Sequence, residues 1–342
     1  MWEGVRKDVS LKLQPIEREA WQDFLKGTSQ GSLFHRWEWQ DVVEAGFGVR
    51  VNRLGLFDRE GVLKGLLPLM ERKMSLLKLA GSSLSGTATP HSGPLGSVPL
   101  ADVILALEGY SKENRLDYLE IRLQDLQERN VLEQNGYTVE ELITLDLHIP
   151  KDEEALWNGL EVRCRNAVRK AEKSGVEVIE PKTLDDWLEP YYELSCGVYR
   201  RQEKEPPFTK EYFTALWQNL YPSGDLLVLL ARYEGKIIAG QIFPRDRNVG
   251  YYLDGVSDRE YSKVSPNNYL QWEYLKRAQN IGIELYDMVG ANVPSIAKFK
   301  KSFGSTERYY LYAYSNRSLA ARIGRTVYAK QGDTIKKFLK RS

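Results

Sequence analysis

Residues 286–304 read YDMVGANVPSIAKFKKSFG and set Lys298, Lys300 and Lys301 around Phe299 and Phe303, directly after a strand-like run. A lysine ammonium in such a place has two chemical uses: it stabilises an oxyanion that develops during acyl transfer, or it holds a phosphate. Two carboxylates, Asp254 and Asp287, stand near strand ends in the same part of the chain. Either would serve as a base toward an attacking ammonium if burial raised its pKa toward neutrality; as ordinary turn or capping aspartates they would do nothing. Upstream, LWNGLEVRCRNAVRKAEKSG (156–175) is expected to form one helix. Projected at 3.6 residues per turn, it places Leu156, Leu160, Cys164, Val168 and Ala171 on one arc and Arg163, Arg165, Arg169, Lys170 and Lys173 on the opposite arc. A concentration of guanidiniums suits bidentate phosphate binding, although a solvated helix face accounts for most of these bases.

Other chemistries lack their residues. The chain has three histidines (His35, His91, His148) and two cysteines (Cys164, Cys196), none at metal-ligand spacing, so neither a structural zinc nor a disulfide framework is expected. No Ser/His/Asp or Cys/His arrangement is evident. A reaction through a covalent enzyme intermediate is therefore not expected.

The elements that must position these residues repeat. RVNRLGLFDREGVLKGLLPLMERK (50–73) alternates apolar and polar residues around Asp58-Arg59-Glu60-Gly61, and DLLVLLARYEGKIIAGQIFPRD (225–246) does so around Glu234-Gly235; both predict hairpins. Each second strand carries an internal glycine, Gly65 or Gly240, which signals a bulge or a close backbone approach, and then a proline. Downstream, RLDYLEIRL (115–123) and GIELYDMVG (282–290) predict strands, each followed by a short helix and a further alternating run. The chain therefore reads as two copies of one α/β unit, 1–150 and 151–342, with mixed, mostly antiparallel sheets flanked by helices. A helix start is expected near Ser265-Pro266-Asn267. The Gly/Ser/Thr/Pro-rich stretch 81–97, with His91, is expected to be either a surface connection or a wall of a substrate cleft.

Length and composition agree: 342 residues suit two domains at roughly 100–200 residues each. A net charge of +1, 42% hydrophobic and 28% charged residues are ordinary for a soluble globular protein, and no DNA partner is expected. MWEGVRKDVSLKLQPIE lacks the apolar core of a signal peptide, and no apolar run approaches the roughly 20 residues that span a bilayer, so a cytoplasmic protein is expected. The segment 316–342 carries Arg317, Arg322, Arg325, Lys330, Lys336, Lys337, Lys340 and Arg341 against Asp333 alone. Such a tail is a candidate for peripheral contact with anionic lipid on the inner membrane face, or with tRNA, if it is not simply a solvated helix.

The order hairpin, helix, strand, helix, strand resembles the GNAT N-acyltransferase fold, and the tandem pair resembles the Fem family of aminoacyl-tRNA-dependent transferases. The similar strings are SLFHRWEWQDVV, RCRNAVRKAEKSGVEV, YYLDGVSDREYSKVSPNNYLQWEYL and YDMVGANVPSIAKFKKSFG. The resemblance implies an acyltransferase that forms an amide on a cell-wall or polysaccharide precursor, with aminoacyl-tRNA as donor and no tightly bound cofactor. The alternatives are an acyl-CoA-dependent N-acetyltransferase acting on an amino sugar or amino acid, and a binding module without chemistry. Carried onto this chain, the resemblance implies Lys300 as a catalytic residue, with Arg165 facing a diphosphate and Phe299 beside Lys300; Asp254, from its place at a strand end, is the candidate base. Arg36, Trp39, Arg169, Tyr252 and Asn267 are the further candidate substrate contacts in these strings. The glycine-rich pyrophosphate signature of ordinary GNAT enzymes is replaced here by SPNN, and no segment is long enough for the charged helical hairpin common in tRNA-using relatives.

Overall fold

The computed structural model describes residues 11–201 and 203–326. They form two compact units, and the chain visits each more than once.

The first unit takes 11–31, 49–141 and 311–326 of the described residues. Its expected hairpin is present as Arg50–Phe57 and Leu63–Met74. Strand Leu77–Gly81 follows and pairs in parallel with Tyr118–Leu123 over Leu79–Gly81 and Tyr118–Glu120. The other pairings described here are antiparallel, with Lys12–Pro15 at one edge and residues 311–316 beside Tyr118–Leu123. Helix Leu100–Glu113 buries Leu100, Val103, Ile104 and Leu107 on one face, the 3.6-residue pattern of a helix that covers a sheet.

The second unit takes 32–48 and 142–310. Its sheet runs Glu177–Ile179, Leu226–Tyr233, Lys236–Asp246, Val249–Tyr251, Leu285–Asp287 and residues 142–148. Again one pair is parallel, 249–251 with 285–287, and the rest are antiparallel. The hairpin turn uses Glu234 and Gly235, both at positive φ, as the two-residue turn between right-twisted strands requires. The register shift falls between Ile237 and Ala239, not at Gly240; that glycine instead admits the Tyr191 ring, which a Cβ would meet at 2.6 Å. Helix Pro266–Asn280 buries Leu270, Trp272, Tyr274, Leu275 and Ala278. Each large apolar chain among them contributes about 1.5–3 kcal/mol. Its N-cap, Ser265, lies in the left-handed region and makes no side-chain cap, so proline at the first turn, and not a serine cap, starts this helix.

Two expectations change. The division is not a cut at Pro150. Helix Trp37–Phe47 lies in the second unit, where Gly46 packs on Tyr212 of helix Lys210–Leu220, and residues 311–316 complete the sheet of the first. Burial drives this exchange, because each displaced segment carries an apolar face that only the other unit covers: Trp39, Val42 and Val43 in one, Leu311 and Ala313 in the other. The expected single helix 156–175 is two, Glu153–Gly159 and Val162–Lys173, broken at Leu160. Among the described residues no helix is long and apolar enough to cross a membrane.

Candidate active site

In the second unit, strand Val249–Tyr251 keeps its parallel partner for three residues. The last bond of that ladder runs from the Tyr252 N–H to the Asp287 carbonyl at 2.9 Å. Beyond it the two strands part. Asp254–Ser257 stays antiparallel to Ala239–Ile242, while Met288 and Ala291 donate to the carbonyls of Leu145 and Ile143. Lys300, Tyr252 and Asp254 lie near the point where the two strands part.

Lys300 lies on helix Pro294–Lys301 and is only 6% exposed. Its ammonium donates to the carbonyls of Val289 (a short contact) and Gly290 (2.8 Å), the residues where the strand departs. It stands 5.4 Å from the centroid of the Tyr252 ring. Desolvation pulls its pKa down to about 8, partly opposed by Asp287. Lys298 and Lys301 face outward, Lys301 pairing with Glu307 at 2.5 Å.

Two residues beyond Tyr252, Asp254 accepts a hydrogen bond from the Tyr191 hydroxyl at 2.7 Å. Burial pushes its pKa up to about 6 against the lowering effect of that bond and of the Gly255 N–H. Tyr191 is fully buried on helix Leu188–Arg200 and its own pKa is raised, so it remains a donor. The Tyr252 hydroxyl lies against Gly255, where any Cβ would overlap it. Asn267 donates to the Ser257 hydroxyl at 2.9 Å. Behind it runs a buried chain in which Tyr286 donates to Gln271 (2.9 Å) and Gln271 to Gln241 (3.1 Å).

Asp287, the other candidate base, is held elsewhere. It is 1% exposed and accepts from Thr144 (2.5 Å), the Val289 N–H (2.8 Å) and Arg308 (3.0 Å), while Arg308 also bonds Asp146 at 2.5 Å. A carboxylate bridged to a guanidinium is a poor proton acceptor. Asp287 therefore braces the end of its strand.

Five sequence candidates make contacts within the fold. Trp39 is fully buried against Phe34, with ring centroids 5.1 Å apart, and offers no surface to a substrate. Arg36 is an ion-pair hub with Asp225 (2.7 Å), Glu38 (3.3 Å) and Asp246 (3.7 Å). Arg165 turns Nη1 onto the carbonyls of Asn158 (3.1 Å) and Leu160 (2.7 Å), closing the end of the preceding helix that the break exposes. Arg169 lies over the Trp157 ring at 5.1 Å. Phe299 meets Phe303 edge-on at 5.2 Å and is partly buried.

In the first unit, the stretch 81–97 is folded in. Ser82, Ser83, Thr87, Thr89, His91 and Ser92 are buried, and His91 Nδ1 is 3.0 Å from the Gln124 amide. Of the basic tail, Arg317 bonds Glu108 through both terminal nitrogens (2.7 and 2.6 Å) and Arg325 lies 3.4 Å over the Tyr314 ring. Lys330, Lys336, Lys337, Lys340 and Arg341 lie outside the described residues. Among the described residues no group of three or more His, Cys, Asp or Glu side chains is placed to hold a metal.

Tyr191, Gln241 and Gln271 escaped the sequence reading. A glutamine inside the apolar run IIAGQIFP, and another on the buried face of a helix, were the available signals: each needs a buried partner.

The fold is a tandem GNAT-like one of Fem-like architecture. Residues 162–301 match the family Acetyltransferase (GNAT) domain. Among solved structures the chain resembles FemX with a TM-score of 0.68 at 17% identity, over 88% of this chain and 96% of that one. A tandem GNAT protein from the clavulanic acid biosynthesis pathway gives 0.62 at 11% identity, covering 90% and 99%. L-PGS from Bacillus licheniformis gives 0.58 at 13% identity, covering 90% and 95%. At these identities the likeness is one of fold. No curated protein matches the chain.

Proposed function

We propose that this acyltransferase forms an amide: it moves an aminoacyl or acyl group from an activated donor to an amine of a cell-wall or polysaccharide precursor. The observation that carries this reading is the pairing of Lys300 and Asp254 on either side of Tyr252, at the point where the parallel strands part. The neutral amine nitrogen attacks the acyl carbon; its proton passes to the Asp254 carboxylate, which hands it on to the leaving oxygen or sulfur as the carbon–oxygen or carbon–sulfur bond to the donor breaks, restoring the carboxylate. Asp254 at about 6 is ionised at neutral pH yet basic enough to take that proton. An ammonium has three N–H donors, and the two carbonyls leave Lys300 one for the oxyanion or leaving group. Tyr252 and Asn267 line the strand edge that positions the reacting atoms, and Phe299 keeps Lys300 on its helix.

Aminoacyl-tRNA is the first donor we infer, from the Fem-like architecture. Acyl-CoA is the second, favoured by the GNAT domain match across this unit. Labelled aminoacyl-tRNA and acetyl-CoA offered with candidate amines separate the two. The rate constant kcat/KM is expected to rise through pH ~6 as Asp254 ionises and to fall through ~8 as Lys300 loses its proton. Lys300→Ala is expected to reduce turnover at least 100-fold. Full activity in that variant, or a pH profile without the acid limb, would defeat the assignment.

A further inference from the structure

Beside Asp254 the second unit holds a cavity of about 340 Å³, lined by Val198, Arg201, Gly255, Val256, Ser257, Arg259 and Ser262. Its walls are the C-terminal end of helix Leu188–Arg200, the strand Asp254–Ser257 and the turn that follows. The same helix supplies Tyr191 to Asp254 seven residues earlier, about 10 Å along the axis at 1.5 Å per residue. Cavity and carboxylate thus share one helix and one strand, with Gly255 of the cavity wall next in sequence to Asp254.

The charges at that cavity are unbalanced. Arg201 is 3.6 Å from Asp258, which Lys236 also reaches at 3.2 Å and whose Oδ1 already accepts the Glu260 N–H. Arg259, exposed at the cavity wall, makes no ion pair or side-chain hydrogen bond among the described residues. Ser257 and Ser262 also line the cavity. An arginine fork with an open face suits a carboxylate or phosphate, and a volume of this size admits one such group with a few carbons.

We propose that this cavity holds the anionic group of the amine acceptor, so that the acceptor is an acidic amine of amino-acid or amino-sugar-phosphate type. Its anion is anchored by Arg259 and Arg201 while its ammonium is presented to Asp254. This rests on the acyl-transfer reading above and names its acceptor class. Opposite charges orient the acceptor, since its ammonium is drawn to Asp254 and its anion to the arginines.

Two matched pairs of probes test it: L-lysine against cadaverine, and glucosamine 6-phosphate against glucosamine. By calorimetry with the full chain and no donor, the member of each pair that carries the carboxylate or phosphate is expected to bind roughly 10- to 100-fold more tightly than the member that lacks it. Arg259→Ala is expected to erase that difference and Arg259→Lys to restore part of it, with coenzyme A binding unchanged. In turnover with the active donor, Arg259→Ala should raise KM for the anionic amine by a similar factor and leave kcat within about twofold. Equal affinity, or none, for both members of both pairs overturns the proposal. So does an Arg259→Ala variant that loses coenzyme A affinity alone, which would give the cavity to the donor's phosphates. Absence of turnover with every donor would count against acyl transfer and leave the calorimetry to decide the cavity.

Discussion

Asp254 shows how a single buried carboxylate can cost stability. Its pKa stands at about 6, above the ordinary value of 3.8, because burial disfavours the charge. A raised carboxyl pKa means that the folded state prefers the protonated form. The stabilisation is complete below pH ~4 and is lost as pH rises through ~6. At neutral pH the ionised group therefore works against folding. Asp254→Asn keeps an acceptor for the Tyr191 hydroxyl and removes the charge. It is expected to gain about 1–3 kcal/mol over wild type in urea titrations at pH 7.5, to show little difference at pH 4, and to lose turnover. A variant less stable than wild type at pH 7.5 would mean that the charge is compensated in place.

Among the elements, the two strand ends at Asp146 and Asp287 are tied by one guanidinium. Arg308 bonds both carboxylates from the strand Thr306–Asn316, and its own pKa is raised by those partners. Removing one partner of a buried ion pair leaves uncompensated charge. Arg308→Ala is expected to cost about 3–5 kcal/mol in denaturant unfolding, more than the ordinary surface arginine change of under about 0.5 kcal/mol. Adding Asp287→Asn to that variant should recover part of the loss, since it removes one stranded charge. No recovery would show that packing, not charge, is what Arg308 contributes. The broken helix at Leu160 belongs to the same scale: Arg165 satisfies the carbonyls that the break exposes, so a residue that looks like a phosphate ligand is first a cap.

For the molecule as a whole, the repeat in the sequence and the units in space are different divisions. Residues 32–48 and 311–316 each leave their sequence half to complete the other unit. A fragment 151–342 lacks the helix Trp37–Phe47 and with it the cover over Tyr212; a fragment 1–150 lacks the strand that pairs with Tyr118–Leu123. Expressed separately, neither is expected to give a cooperative thermal transition, whereas co-expression should restore one. Cooperative unfolding of 151–342 alone would refute this. The first unit shows the same parallel step as the second, with Glu120 at the register position that Asp287 occupies. There Glu120 is buried and accepts from the hydroxyls of Tyr118 (2.9 Å) and Tyr312 (3.0 Å) and from the Ser85 N–H.

Local pattern was enough for the hairpins at 50–74 and 226–246 and for the helix that begins at Pro266, because turn residues, proline and alternation act within a few positions of themselves. The two-copy order was legible for the same reason. What no local pattern carries is which side chains meet across distance. The Tyr191 bond to Asp254 joins residues 63 apart, and the Thr144 bond to Asp287 joins residues 143 apart. Those contacts decide that Asp254 is poised near neutrality while Asp287 is locked, that Trp39 is core, and that Arg36 and Arg165 hold the fold. Composition set the inventory of charges; burial, which only the packed chain creates, decided which of them remain free for chemistry.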